Sequence, residues 1–208
     1  MEQPFVKTHF WEINLCDLLD VLGEDEVKSI LSSFVCPLNK DVESFCRYKA
    51  IEFSKREFAK TYLIYWETDD KKEKAFVGYY TISSKLISVD PSAVNSREAK
   101  KLREHGVYDV SKKTYTASAI LVGQLGKNYA NGNDTLIGGT DILNLAIKRV
   151  KEVQKQVGGR FVYLECEEVK KLLTFYINNN FKIFGKRELD KDEVDVKGKY
   201  LIQLFALV

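Results

Sequence analysis

The sequence predicts a mixed α/β (α+β) fold in which helices pack on both faces of a mostly antiparallel sheet. Three observations carry this: helical periodicity in several segments, extended runs rich in β-branched and aromatic residues, and glycine or polar clusters between them. At 208 residues, 45% apolar and 30% charged, the chain can bury a sizeable core as one domain. Only 3 Pro and 12 Gly, beside 12% aromatic residues, exclude a disordered chain.

In DEVKSILSSF, Val27, Ile30, Leu31 and Phe34 recur at the spacing of one helix face. A second helix starts after Asn39, a good N-cap followed by acidic residues. Its stripe holds Val42, Phe45, Cys46, Ala50 and Phe53, with Lys49 snorkelling at the edge. The first sixty residues are therefore expected to be helical, with about 1–33 forming an N-terminal helical extension. From about Thr61 to Ile82, TYLIYW and AFVGYYTI flank the charged turn DDKKEK and form a hairpin. A polar helix covers Ser96–His105, inside an insert of about 90–113.

Thr114–Gly126, TYTASAILVGQLG, is the expected central strand. The loop KNYANGNDTLIGG leads from it into a long helix whose Ile142, Ala146, Val150, Val153 and Val157 make a buried face. Gly158-Gly159 ends that helix. RFVYLEC is a strand, EEVKKLLTFYINNN a helix, and FKIFG and KYLIQLFALV are strands. No linker interrupts the chain, so 1–208 reads as a single domain.

Composition also narrows function. With 32 basic against 30 acidic residues and a net charge of +2, wholesale electrostatic binding of nucleic acid is disfavoured, though a local basic face is allowed. Four cysteines without a C-x-x-C pair and two histidines disfavour a structural zinc site and a disulfide framework, so no metal is expected. No apolar run approaches about 18 residues, which disfavours membrane spanning, and a cytoplasmic location is expected.

The strand–loop–helix from Ile120 to Val157 is the most informative unit. A glycine-bearing turn entering a helix presents unpaired N–H groups and the positive end of the helix dipole, which suits a phosphate or pyrophosphate. Gly138-Gly139 allows close approach and Thr140 adds a hydroxyl. Taken alone, these residues shape a turn more commonly than they bind an anion, and Asp141 counts against an anion. The loop is neither G-x-x-x-x-G-K-[ST] nor G-x-G-x-x-G. Likewise Tyr176, at the buried end of its helix, is in isolation more commonly a core residue.

Together, ILVGQLGKNY (120–129), LIGGTDILNLA (136–146) and FYINNNF (175–181) resemble the GNAT superfamily of acyl-CoA-dependent N-acetyltransferases. Gly139 is kept from the helix-entry loop of that superfamily, while Ile137 stands where an earlier glycine belongs. Asn180 replaces the glycine of FY-x-x-x-GF and tolerates the same left-handed backbone. Upstream, FVCPLNKDVESFCRYKAIEFSKREFAKTYLIYW and GYYTISSKLISV are similar to the opening of the GNAT toxin branch, which acetylates aminoacyl-tRNA.

The resemblance implies a sheet with a V-shaped strand splay, acetyl-CoA as co-substrate and direct attack by a primary amine. Leu125, Gly126 and Lys127 would meet the pantetheine arm, with the N–H of Leu125 or Gly126 polarising the thioester carbonyl. Backbone groups of Ile137, Gly138, Gly139 and Thr140 would hold the pyrophosphate, and Tyr176 would be the general acid. Glu165, Glu167 and Glu168 are candidate bases, with proton loss to solvent the leading alternative. The main reading is acetyl transfer to a primary amine; the alternatives are aminoacyl-tRNA as acceptor and a non-catalytic acyl-CoA-binding module. An unrelated α/β interaction protein, in which these units are core features only, is a further reading. The partners admitted are the amine acceptor, tRNA, an antitoxin protein and a second copy in a homodimer. A tRNA surface would use Arg97, Lys100, Lys101, Arg103, Lys112, Lys113, Lys148, Arg149 and Lys151.

Overall fold

The computed structural model describes residues 8–190 and 198–208. Strands β1 (Thr8–Asn14), β2 (Lys60–Thr68), β3 (Lys74–Val89), β4 (Gly106–Asp109), β5 (Thr114–Lys127), β6 (Phe161–Glu167), β7 (Lys182–Glu188) and β8 (Tyr200–Leu207) form one sheet. Its order is β1-β2-β3-β5-β6-β8-β7, with β4 on β5. Pairings β1–β2, β4–β5, β6–β8 and β7–β8 are antiparallel, and β5–β6 is parallel. The helices are α1 (Leu15–Leu22), α2 (Glu24–Ser32), α3 (Lys40–Ser44), α4 (Ala50–Lys55), α5 (Ser96–His105), α6 (Gly139–Val157) and α7 (Lys170–Asn178). A π-helical turn, Phe45–Lys49, joins α3 to α4.

Two compact units emerge from the packing: residues up to Thr81 with Gln124–Leu145, and Ile82–Gly123 with the chain from Ala146 onward. Strands β3 and β5 and helix α6 contribute to both. In the first unit, Leu15, Val27, Leu31, Phe34, Val42 and Phe45 from the helical segments pack on Leu63, Phe76 and Tyr79 of the hairpin. Ile142 of α6 lies instead against Gly78, one residue from Tyr79. Because successive strand residues face opposite ways, this unit carries helices on both faces of the sheet. In the second unit, Ile87, Leu102, Ala119, Phe161, Tyr163, Phe184 and Phe205 form the core.

The expected helical start is corrected at β1. Trp11 and Ile13 pack toward the core of the first unit, and the strand pairs with β2 from Thr8↔Thr68 to Asn14↔Tyr62. The extension is therefore strand plus helices; its first seven residues lie outside the described ones. The 90–113 segment holds α5, closed by a capping box from Asn95 and Glu98, and β4, which adds to β5. Two further expectations are corrected: Val157, in the last turn of α6, is 72% exposed and not part of the buried face, and β3 runs past Ile82 to Val89, where Ile87 and Val89 are buried. Gly158 and Gly159 are left-handed after α6 (φ 81° and 96°).

Candidate functional site

Strand β5 is fixed at its exit by Asn128, which is 1% exposed. Its side chain accepts from Val35 N–H (3.0 Å) and donates to Phe76 C=O (2.9 Å). Its backbone N–H reaches Val77 C=O at 2.8 Å. Four residues earlier, Gln124 N–H reaches Thr81 Oγ1 at 2.9 Å. Both donors point toward β3. Strand alternation then turns the N–H of Leu125, between them, to the other edge. On that edge, among the described residues, β5 pairs with β6 through Ala119–Leu121, opposite Phe161–Tyr163, while the strand runs on to Lys127.

Gly126 owes its identity to packing. A Cβ there would collide with Val42 Cγ1 and press on Phe34 Cζ at 3.2 Å. The ammonium of Lys127 lies 5.9 Å from the Tyr129 ring centre.

The turn into α6 is partly engaged. Ile137 is 3% exposed and belongs to the core. Gly138 N–H donates to Asp141 Oδ2 at 2.9 Å, and the backbone N–H groups of Asp141 and Ile142 return to Gly138 C=O at 3.1 and 3.3 Å. Gly139 begins α6 with Thr140 behind it, in the first turn, where N–H groups lack intrahelical acceptors.

In the second unit, Tyr176 stands near the end of α7. Phe181 N–H bonds to Tyr176 C=O and Asn180 N–H to Ile177 C=O, both at 3.0 Å. Asn180 is left-handed, φ 69°. This is a Schellman ending, with Asn180 in the glycine position and the Tyr176 and Phe181 rings in contact, their centres 5.8 Å apart. The spacing of FYINNNF thus has a local cause: the left-handed residue reverses the chain and seats the phenylalanine on the tyrosine.

Tyr176 is 9% exposed. Burial, and to a lesser degree the nearby Cys166, push its phenol well above the usual 10.0. Tyr79, Tyr80 and Tyr163 place their hydroxyls on Val42 C=O, Glu12 and Glu165. The hydroxyl of Tyr176 has no hydrogen-bond partner among the described residues.

Of the candidate bases, Glu165 is clasped by Arg187, Nε to Oε1 at 2.9 Å and Nη2 to Oε2 at 2.7 Å. Tyr163 also donates to it. Burial raises its carboxyl, but these bonds outweigh that and hold it below 4.5. Glu168 pairs with Lys186 at 3.0 Å, and Glu167 has partners as well. Of the proposed basic surface, Lys100 and Lys101 pair with Glu104, Lys112 with Asp109, and Arg149 with Glu152. Arg97, Arg103, Lys113, Lys148 and Lys151 are exposed.

Sequence reading missed two polar contacts, Glu165–Arg187 and Asp41–Gln124, the latter at 2.9 Å. The first joins residues 22 apart, the second residues 83 apart, and no local pattern marks either. The structure places Leu125, Gly126, Lys127 and Ile137–Thr140 in the first unit and Tyr176 in the second. Among the described residues no group of three or more His, Cys, Asp or Glu could hold a metal ion, and no helix is long and apolar enough to cross a membrane.

No family model matches the chain, and no curated protein does. Solved structures do. AtaT complexed with acetyl-methionyl-tRNAfMet matches with a TM-score of 0.59 and 15% identity over 93% of this chain and 94% of that one. A mutant of KacT gives 0.58 and 14% over 94% and 93%, and AtaTR bound with AcCoA gives 0.54 and 15% over 96% and 93%. What is shared at such identity is the fold, and it is the GNAT fold that the sequence predicts.

Proposed function

We propose that the chain is an acetyl-CoA-dependent N-acetyltransferase whose acceptor is the amino group of aminoacyl-tRNA. The observation that carries this is the likeness, over 93% of the chain, to AtaT complexed with acetyl-methionyl-tRNAfMet, in a chain whose own Tyr176 ends its helix in the GNAT manner. The sequence alone ranked a generic primary amine first. The solved neighbours favour the alternative, and an antitoxin protein is the partner this reading implies, since AtaT is also solved with the C-terminus of the antitoxin AtaR.

Acetyl-CoA supplies the activated thioester. Of the two candidate donors, Leu125 is the one whose N–H polarises the thioester carbonyl, because strand alternation turns it away from β3. Gly139 and Thr140 hold the pyrophosphate, since the N–H of Gly138 is already bonded to Asp141. Tyr176 protonates the leaving thiolate. A phenol is protonated through neutral pH, and the Tyr176 hydroxyl has no competing acceptor among the described residues. The amine loses its proton to water, because Glu165 and Glu168 are held by Arg187 and Lys186.

The test is transfer of labelled acetyl from acetyl-CoA to charged tRNA by the purified chain. Label on the aminoacyl group supports the reading. Labelling of a small amine in its place returns the generic acceptor, and acetyl-CoA binding without any transfer favours a binding module.

A further inference from the structure

We propose that Asp41, held by Gln124, receives the α-amino group of the acceptor and so selects an amine over a hydroxyl. This deepens the function proposed above and rests on it.

Asp41 Oδ2 accepts from Gln124 Nε2 at 2.9 Å. Gln124 is itself anchored, its backbone N–H on Thr81 Oγ1 at 2.9 Å. The stretch beside Asp41 is fixed from the other side. Asn39 Oδ1 accepts from Val42 N–H at 3.1 Å, Val42 C=O accepts from the Tyr79 hydroxyl at 2.6 Å, and the Val42 side chain fills the space above Gly126. The carboxylate is therefore pinned over the end of β5. It is also underused. An ionised carboxylate has about four acceptor positions, and Asp41 spends one on a side chain among the described residues and pairs with no Lys or Arg there.

Leu125, the next residue along the strand, carries the N–H assigned to the thioester carbonyl. Asp41 stands one glutamine side chain and one hydrogen bond from that stretch of β5, on the face toward which the Gln124 side chain projects, and the acceptor amine is placed between its open acceptor positions and the thioester. An α-amino group titrates at about 8, so it arrives partly as ammonium at neutral pH, binds the carboxylate in that form, and gives one proton to water before the neutral amine attacks. Charge-assisted hydrogen bonds are about twice as strong as neutral ones, and half-burial of Asp41 lowers the screening around such a bond. A hydroxyl acceptor brings neither the charge nor the extra donors.

The experiment compares aminoacyl-tRNA with the same tRNA carrying the corresponding α-hydroxy acid, the latter as a competitor. The wild-type chain is expected to prefer the amine by roughly tenfold or more, and Asp41→Asn to lose most of that preference while keeping its acetyl-CoA affinity. A purely structural Asp41 would lower stability and leave the preference intact. A folded Asp41→Asn chain that keeps the preference overturns the proposal and leaves the acetyltransferase reading standing. A wild-type chain that acetylates no aminoacyl-tRNA overturns both. Should Asp41→Asn not fold, Gln124→Ala frees the carboxylate without changing its charge. A reduced preference then supports the proposal, and an unchanged one overturns it.

Discussion

Val42 occupies the space that any side chain at position 126 would need: a Cβ on Gly126 collides with Val42 Cγ1. The glycine near the end of β5 is thus explained by the helix resting on it. Gly126→Ala is expected to destabilise the chain by about 1–3 kcal/mol through overpacking. Adding Val42→Ala should recover part of that loss, so that the double variant in urea unfolding is less destabilised than the two single losses together.

Asn180 gives a separable test of the turn after Tyr176. With φ at 69°, Asn180→Gly should be neutral or slightly stabilising. Asn180→Val, β-branched in a left-handed conformation, should cost about 1–2 kcal/mol. Thermal unfolding of the three chains checks the order Gly ≥ Asn > Val.

The Glu165–Arg187 pair makes stability depend on pH. The Glu165 carboxyl lies below 4.5 in the folded chain, so its contribution is present above about 4.5 and is lost as pH falls through the folded value. Arg187→Ala leaves a partly buried carboxylate uncompensated and should cost about 2–3 kcal/mol at neutral pH, less than for a fully buried pair. The gap between variant and wild type in denaturant melts should narrow as the pH is lowered below 4.5.

At the entry to α6, Gly139→Glu places a negative charge and a side chain in the turn assigned to pyrophosphate. Acetyl-CoA affinity measured by calorimetry should fall by about tenfold or more, with the circular dichroism spectrum unchanged. Asp141→Asn removes a charge from the same turn and should tighten binding instead.

Much of this was readable from residue pattern. The hairpin, α5 and the buried face of α6 through Ile142, Ala146 and Val150 follow from local periodicity, though Val157 at the helix end is exposed, and the Schellman ending after Tyr176 follows from one asparagine at a fixed offset. Strand β1 was hidden because its alternation, Trp11 and Ile13 toward one core with Glu12 on the opposite face accepting from Tyr80, spans few residues and runs directly into α1. Strand β4 has four residues, with Val107 and Tyr108 exposed, so no burial period marks it. Glu165 and Arg187 meet through register: Glu165 lies opposite Gln203 on β8, and the irregularity between Ile183 and Gly185 sets the phase of Arg187 on β7. Asp41 and Gln124 meet because α3 packs on β5. Both depend on long-range packing that spacing along the chain does not encode.

The central claim rests on the Tyr176 hydroxyl, and single-turnover transfer from acetyl-CoA to aminoacyl-tRNA by Tyr176→Phe tests it most directly. The variant keeps the ring against Phe175 and Phe181 and has no hydrogen bond to lose among the described residues, so its melting temperature and acetyl-CoA affinity should stay close to wild type. General acid catalysis contributes on the order of 10²–10⁴ in rate, so transfer should fall by at least about tenfold. A stably folded Tyr176→Phe chain transferring acetyl at the wild-type rate contradicts the account.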